Sequence, residues 1–170
     1  SLNNVVIDSN SYYGLWVGSS NNDQIKVSIN NSVFKNNSTQ SQGAAIHSQM
    51  NTLIVNNTKF INNFSQQKGS IYIEQDEANV SFTGCYFKDN QITNSLYSSV
   101  FSTGSDLSII DCVFLNNENK VFSGSQYNNT SANISVLNSI AWGNTLISSG
   151  QWPNMNVTAT YSCIEGGYAG

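Results

Sequence analysis

Side chains able to do chemistry are few in this chain of 170 residues, and their spacing is unpromising. The single histidine, His47, has no Ser or Cys at the spacing of a nucleophile motif, so its imidazole is expected to pack or face solvent within a strand. The densest run of carboxylates is Glu74-Gln75-Asp76-Glu77. It offers hard oxygen ligands that could hold a cation weakly, but it falls in the link between two strands and reads as a solvated loop. Asp106 and Asp111 lie in one repeat without an evident partner, whereas glycoside hydrolysis needs two carboxyl groups facing each other across about 5–9.5 Å. The three cysteines, Cys85, Cys112 and Cys163, lack the Cys-x-x-Cys spacing of a zinc site. Cys85 and Cys112 stand one period apart and read as small core residues stacked on each other. The expectation is a protein that is not an enzyme, with no catalytic residue, no metal and no cofactor.

Charge narrows the partners further. The chain carries six Lys and no Arg, is 9% charged and has a net charge of -4. A nucleic-acid footprint needs clustered Lys and Arg, and a polybasic membrane contact needs the same, so neither is expected. No apolar run approaches the roughly 18 residues of a membrane span, so no membrane insertion is expected either. With one Pro and 11% aromatic residues, the polarity is that of a folded chain rich in Asn, Ser, Thr and Gly.

A different chemistry could be done to the chain. Asn-x-Ser/Thr acceptor triplets begin at Asn30, Asn36, Asn37, Asn56, Asn63, Asn79, Asn128, Asn129, Asn133 and Asn156. Asn79, Asn133 and Asn156 fall at one outward position just before a strand, and Asn128 and Asn129 lie in a long loop. These are the candidate glycosylation sites; Asn37 and Asn63 belong to an inward position and are expected to stay bare.

The elements that position all these residues follow from a repeat. Ser32-Val33-Phe34-Lys35-Asn36-Asn37 returns at Thr58–Asn63, Cys85–Asn90 and Cys112–Asn117, and more weakly at Ser139–Asn144. The Phe position recurs at 34, 60, 87, 114 and, as Ala, at 141, in steps of 26, 27, 27 and 27. Such regularity marks a solenoid. Before each motif lies a short alternating strand, as in Val27/Ile29, Leu53/Val55 and Val80/Phe82, then a turn residue: Asn31, Asn57, Gly84, Asp111 or Asn138. A third strand follows a variable loop. The fold class is therefore all-β: a right-handed parallel β-helix of about six turns, three short strands per turn, spanning residues 1–170 as a single block. Asn10, Asn37, Asn63, Asn90, Asn117 and Asn144 would stack at one bend and form an internal amide ladder.

Strand three is apolar at both parities. One runs Leu15, Ala45, Ile71, Val100, Val121, Leu146; the other runs Trp16, Ile46, Tyr72, Phe101, Phe122, Ile147. The aromatic line is expected to face outward as a contact stripe carried by Trp16, Tyr72, Phe101 and Phe122. The alternative is that a loop such as Leu96-Tyr97 covers it.

The pairing of Phe-x-x-Asn with a Gly-x-Ala-Ile segment (Phe34 to Asn37, then Gly43-Ala44-Ala45-Ile46) resembles the repeats of chlamydial polymorphic outer membrane proteins and related secreted β-helix adhesins. Asn138-Ser139-Ile140-Ala141-Trp142-Gly143-Asn144 and the segment 161–167 are similar to closing turns of that wider group. The resemblance implies an extracellular or cell-surface solenoid used in adhesins, surface layers and some carbohydrate-active enzymes. The second Gly of the Gly-Gly-Ala-Ile form is replaced by Ala44, and no outer-membrane barrel is evident. Lyases resembling the pectate family use an acidic calcium cluster with a basic residue, usually Arg, which this chain lacks. The functional expectation is a structural or adhesive β-solenoid, glycosylated, as a subunit of a head-to-tail filament or surface layer. The alternative is a carbohydrate-binding module or a degenerate lyase- or hydrolase-like β-helix. The partners expected are copies of itself end to end, neighbouring domains, or glycans. The chain is expected to be a block of something longer or of a polymer, because it starts and stops within a repeat and uncapped strand edges invite pairing.

Overall fold

The computed structural model describes residues 1–18, 25–74, 78–124, 132–147 and 155–166, the strand 145–147 by its backbone. Short strands follow one another around a coil, and each pairs in parallel with its counterparts in the coils before and after. The first sheet has seven strands, from Leu2–Asn3 through Lys26–Asn30 and Thr52–Asn56 to Met155–Thr160. The second, also of seven, runs from Val6–Asp8 to Cys163–Ile164, and the third, of six, from Leu15–Val17 to Thr145–Ile147. The chain is thus an all-β parallel solenoid of stacked coils. A fourth sheet of three two-residue strands, Ser38–Thr39, Phe64–Ser65 and Gln91–Ile92, was not expected from the sequence. It places Thr39, Ser65 and Ile92 in the interior two residues after each ladder Asn.

Alternation in the first sheet puts Ile29, Leu53, Val55, Val80, Phe82, Leu107 and Ile109 inside, where removal of apolar area from water drives the stacking. In the second sheet Phe34, Phe60, Phe87 and Phe114 are register partners. Their ring centroids are 5.2, 5.0 and 4.7 Å apart and their planes lie within 15° of parallel. Strand spacing of about 4.8 Å imposes that separation on identical residues in one column.

Two left-handed bends frame this sheet. Asn31, Asn57, Asp111 and Asn138 have φ of 49–54°, and Gly84 63°, at the first; Asn36, Asn62, Asp89 and Asn116 have φ of 49–54° at the second. Asn, Asp and Gly are the residues that best tolerate this region, and they fill most coils; Ser9 and Tyr161 take the same conformation in the outermost coils, with φ of 57° and 50°.

The Asn ladder is present from Asn10 to Asn144. Each side-chain amide donates to the Oδ1 of the next coil, at 2.8 Å from Asn10 to Asn37, 2.9 Å to Asn63, 3.0 Å to Asn90, 2.8 Å to Asn117 and 2.9 Å to Asn144. The same Oδ1 accepts the backbone N–H of the preceding ladder residue, as Asn63 does from Asn37 at 3.2 Å. The amide also donates to the carbonyl of the preceding coil's core residue, as Asn63 does to Phe34 at 3.0 Å. Every inward amide is therefore satisfied, as burial demands.

A second column uses smaller groups. Ser32, Thr58, Cys85, Cys112, Ser139 and Ser162 each donate to the carbonyl two residues earlier, from 2.8 Å at Ser32 to 3.4 Å at Cys85. Cys85 and Cys112 are buried free thiols standing where other coils use a hydroxyl, as expected of stacked core residues.

The third sheet corrects the expected register. The inward column is Leu15, Ile46, Ile71, Phe101 and Phe122; the outward one is Trp16, His47, Tyr72, Ser102 and Ser123. Phe101 and Phe122 are fully buried and belong to the core, so no contact stripe runs through them. A one-residue slip exchanges the faces of a strand, and burying Phe in place of Val or Ile in place of Ala removes more apolar area from water. The register shift between Ser98 and Phe101 admits this choice. Tyr72 does point outward but is fully covered; of the expected stripe only Trp16 is exposed, at 53%.

Candidate functional site

Among the described residues, titratable and aromatic side chains gather off the core around Tyr72. The strands Leu15–Val17, Ile46–Ser48 and Ile71–Ile73 bring Trp16, His47 and Tyr72 side by side on the outer face of the third sheet. The Lys68 ammonium lies 3.0 Å from the Tyr72 hydroxyl and 4.3 Å from the centre of its ring, with the Tyr97 ring at 5.9 Å. The segment carrying Tyr97 is held down from the next coil. Asn119 donates to the Ser95 and Tyr97 carbonyls, and Lys120 donates to the Leu96 carbonyl. Tyr72 is thus covered by the Lys68 side chain, with the Tyr97 ring beside that ammonium.

His47, 5% exposed, has its Nε2 2.8 Å from Glu74 Oε2, which also accepts from the Gln49 amide at 2.9 Å. The His47 ring is flanked by Tyr13 at 5.3 Å and Tyr72 at 5.0 Å. Its Nδ1 is buried with no hydrogen-bond partner among the described residues. Burial alone would raise the Glu74 carboxyl, but hydrogen bonds from Gln49 and His47, with the nearby His47 and Lys68, outweigh it and hold the group below its usual value. Burial lowers the Lys68 ammonium to about 8, against the opposing pull of Glu74. Burial, then the neighbouring Tyr12 hydroxyl, pushes the Tyr13 phenol upward.

Sequence pattern alone offers His47 no partner and puts Glu74 in a solvated loop; the fold brings them together. Their separation of 27 residues is the repeat length itself, and that was the available signal. Gln75, Asp76 and Glu77, the rest of the acidic run, lie outside the described residues. Asp106 and Asp111 are not brought to this site. Asp106 accepts the Asn133 backbone N–H at 2.6 Å, and Asp111 accepts from Asn138, so both serve the coil surface.

Of the candidate glycosylation sites, Asn79, Asn133 and Asn156 are exposed on the first sheet, with Asn133 and Asn156 register partners. Asn128 and Asn129 lie outside the described residues. Asn37 and Asn63 are fully buried, with their amide nitrogens bonded.

Chemically, the site offers a carboxylate and amides beside aromatic faces, an arrangement suited to recognition. No family model, curated protein or solved structure matches the chain.

Proposed function

We propose that the chain is a structural or adhesive β-solenoid of the cell exterior, of the kind its Phe-x-x-Asn repeats resemble. The observation that carries this reading is the continuous amide ladder from Asn10 to Asn144. The chain's buried polarity is spent on holding coil to coil, which suits a stiff spacer. In this reading the coils stack end to end on further coils, as a filament or surface layer, and outward Asn79, Asn133 and Asn156 carry glycans. The test is light scattering with electron microscopy of concentrated protein, together with attachment of protein-coated beads to glycan-bearing cells. Filaments, layers or attachment support the reading; a monodisperse monomer whose beads do not attach overturns it.

A second reading, a carbohydrate-binding module or degenerate carbohydrate-active β-helix, is favoured by the aromatic and carboxylate groups around His47 and Glu74. Reducing-end release from a polysaccharide panel, set beside binding to it, separates a residual enzyme from a binding module.

A further inference from the structure

Beside the His47–Glu74 pair the outer face opens to solvent. Trp16 is 53% exposed and Tyr12 65%. Tyr12 meets the Tyr13 ring edge-on at 4.4 Å, and Tyr13 meets His47 in turn. The Trp16 indole packs close against Gly18: a Cβ there would come within 2.4 Å of its six-membered ring and 2.8 Å of the Gln49 Oε1. Glycine is what leaves the ring its place, with the Gln49 carboxamide close to the same position. Next to these rings stand the Glu74 carboxylate, its side chain 36% exposed, and the buried His47 Nδ1, unpartnered among the described residues.

We propose that Trp16, Tyr12 and Tyr13, with Gln49, Glu74 and His47, form a binding subsite for a neutral pyranose oligosaccharide. The proposal rests on the second reading above and gives it a place. A sugar ring has an apolar C–H face and a rim of hydroxyls. Trp16, half exposed, takes the face. Gln49 supplies a donor and an acceptor, and Glu74 supplies acceptors, for the rim. Aromatic faces with a carboxylate can also hold an organic cation, but here Glu74 already faces His47 at 2.8 Å and feels Lys68. The nearby Lys68 ammonium opposes a second cation there, which leaves hydrogen bonding as what Glu74 offers a ligand. The His47 Nδ1 is hydrogen-bonding capacity that the described residues leave unused at the same spot.

The experiment titrates the whole chain with cellohexaose, maltohexaose, chitohexaose and mannohexaose, followed by tryptophan fluorescence and calorimetry, with choline and hexagalacturonate as charged probes. The expected result is saturable binding of at least one neutral hexasaccharide. Trp16→Ala weakens it at least tenfold, Trp16→Phe retains part of it, and Gly18→Ala weakens it by tilting the ring. Trp142→Ala leaves it unchanged, because Trp142 is equally exposed but lies on the second sheet. Thermal melts confirm that each variant folds. The proposal is overturned by saturation with none of the neutral probes, by tighter binding of choline or hexagalacturonate, or by binding that survives Trp16→Ala. In the last case the carbohydrate reading stands and only this placement falls. A chain blind to every saccharide that still assembles or attaches loses both the site and that reading, while the scaffold remains.

Discussion

Asn63 shows how much one side chain can carry in this fold. Its Oδ1 accepts both the backbone N–H and the amide of Asn37, and its own amide serves Asn90 and the Phe34 carbonyl. Asn63→Ala strands several buried groups at once, each costing about 1–3 kcal/mol. The expected loss is on the order of 3 kcal/mol by denaturant unfolding, and a loss below about 1 kcal/mol would contradict the ladder's role. Lys68 makes a prediction of opposite character. Its folded value near 8 lies below the ordinary 10.5, so the unfolded chain binds more protons between those limits. Stability referred to this lysine is therefore lowest below pH 8 and rises with pH up to about 10.5. The unfolding free energy of the wild type, measured relative to Lys68→Met, should climb across that window; a flat difference would refute the burial cost.

At the scale of the strand, the column through Ser32, Thr58, Cys85, Cys112, Ser139 and Ser162 makes hydroxyl and thiol exchangeable. Cys85→Ser and Cys112→Ser should each stay within about 1 kcal/mol of the wild type in thermal or denaturant melts. Cys85 and Cys112 are both sealed in the interior, where the Cys112 sulfur and burial also push the Cys85 thiol up, so in the native protein only exposed Cys163 should react with a thiol reagent, all three after unfolding. Within the stack, Phe87 contacts Phe60 and Phe114 face to face and Phe82 and Phe101 edge-on. Phe87→Ala should cost about 3–5 kcal/mol, read from the shift of the denaturation midpoint.

These elements were unequally legible in the sequence. The first strand could be read because one parity is apolar and the other largely polar, so alternation fixes which way Val80 and Ser81 point, and the second because Phe recurs at one position. The third could not, because Val100 and Phe101 are both apolar and both buried; size chose between them, and pattern is blind to size. The ladder was legible because six Asn stand in register. The site around His47 was not, because the strand residues Trp16, His47 and Tyr72 share no residue type and Tyr13, Gln49, Lys68 and Glu74 come from the links between strands. Only the separation of His47 and Glu74 by one repeat carries any trace of it.

Over the whole molecule, the first sheet presents Asn79, Asn133 and Asn156 to solvent while Asn37 and Asn63 are sealed. In material from a secretory host, glycosidase treatment should reduce the intact mass, and Asn79→Gln, Asn133→Gln and Asn156→Gln should remove part of that difference. An unchanged mass would dismiss the glycoprotein reading.

The backbone hydrogen bonds that join the coils, such as Val33 to the Val5 carbonyl and Lys59 to the Ser32 carbonyl, run along the axis of the stack. Tension applied between points in the outermost coils therefore falls first on the bonds of whichever coil is outermost, not on all coils together. The rod should yield by peeling, one coil at a time. A released coil of 27 residues pays out roughly 90 Å of slack, set against a height of about 4.8 Å in the stack. In a force-extension trace the repeat seen in the sequence would become a repeat in length: a row of evenly spaced steps, each absorbing work before the next coil takes up the load.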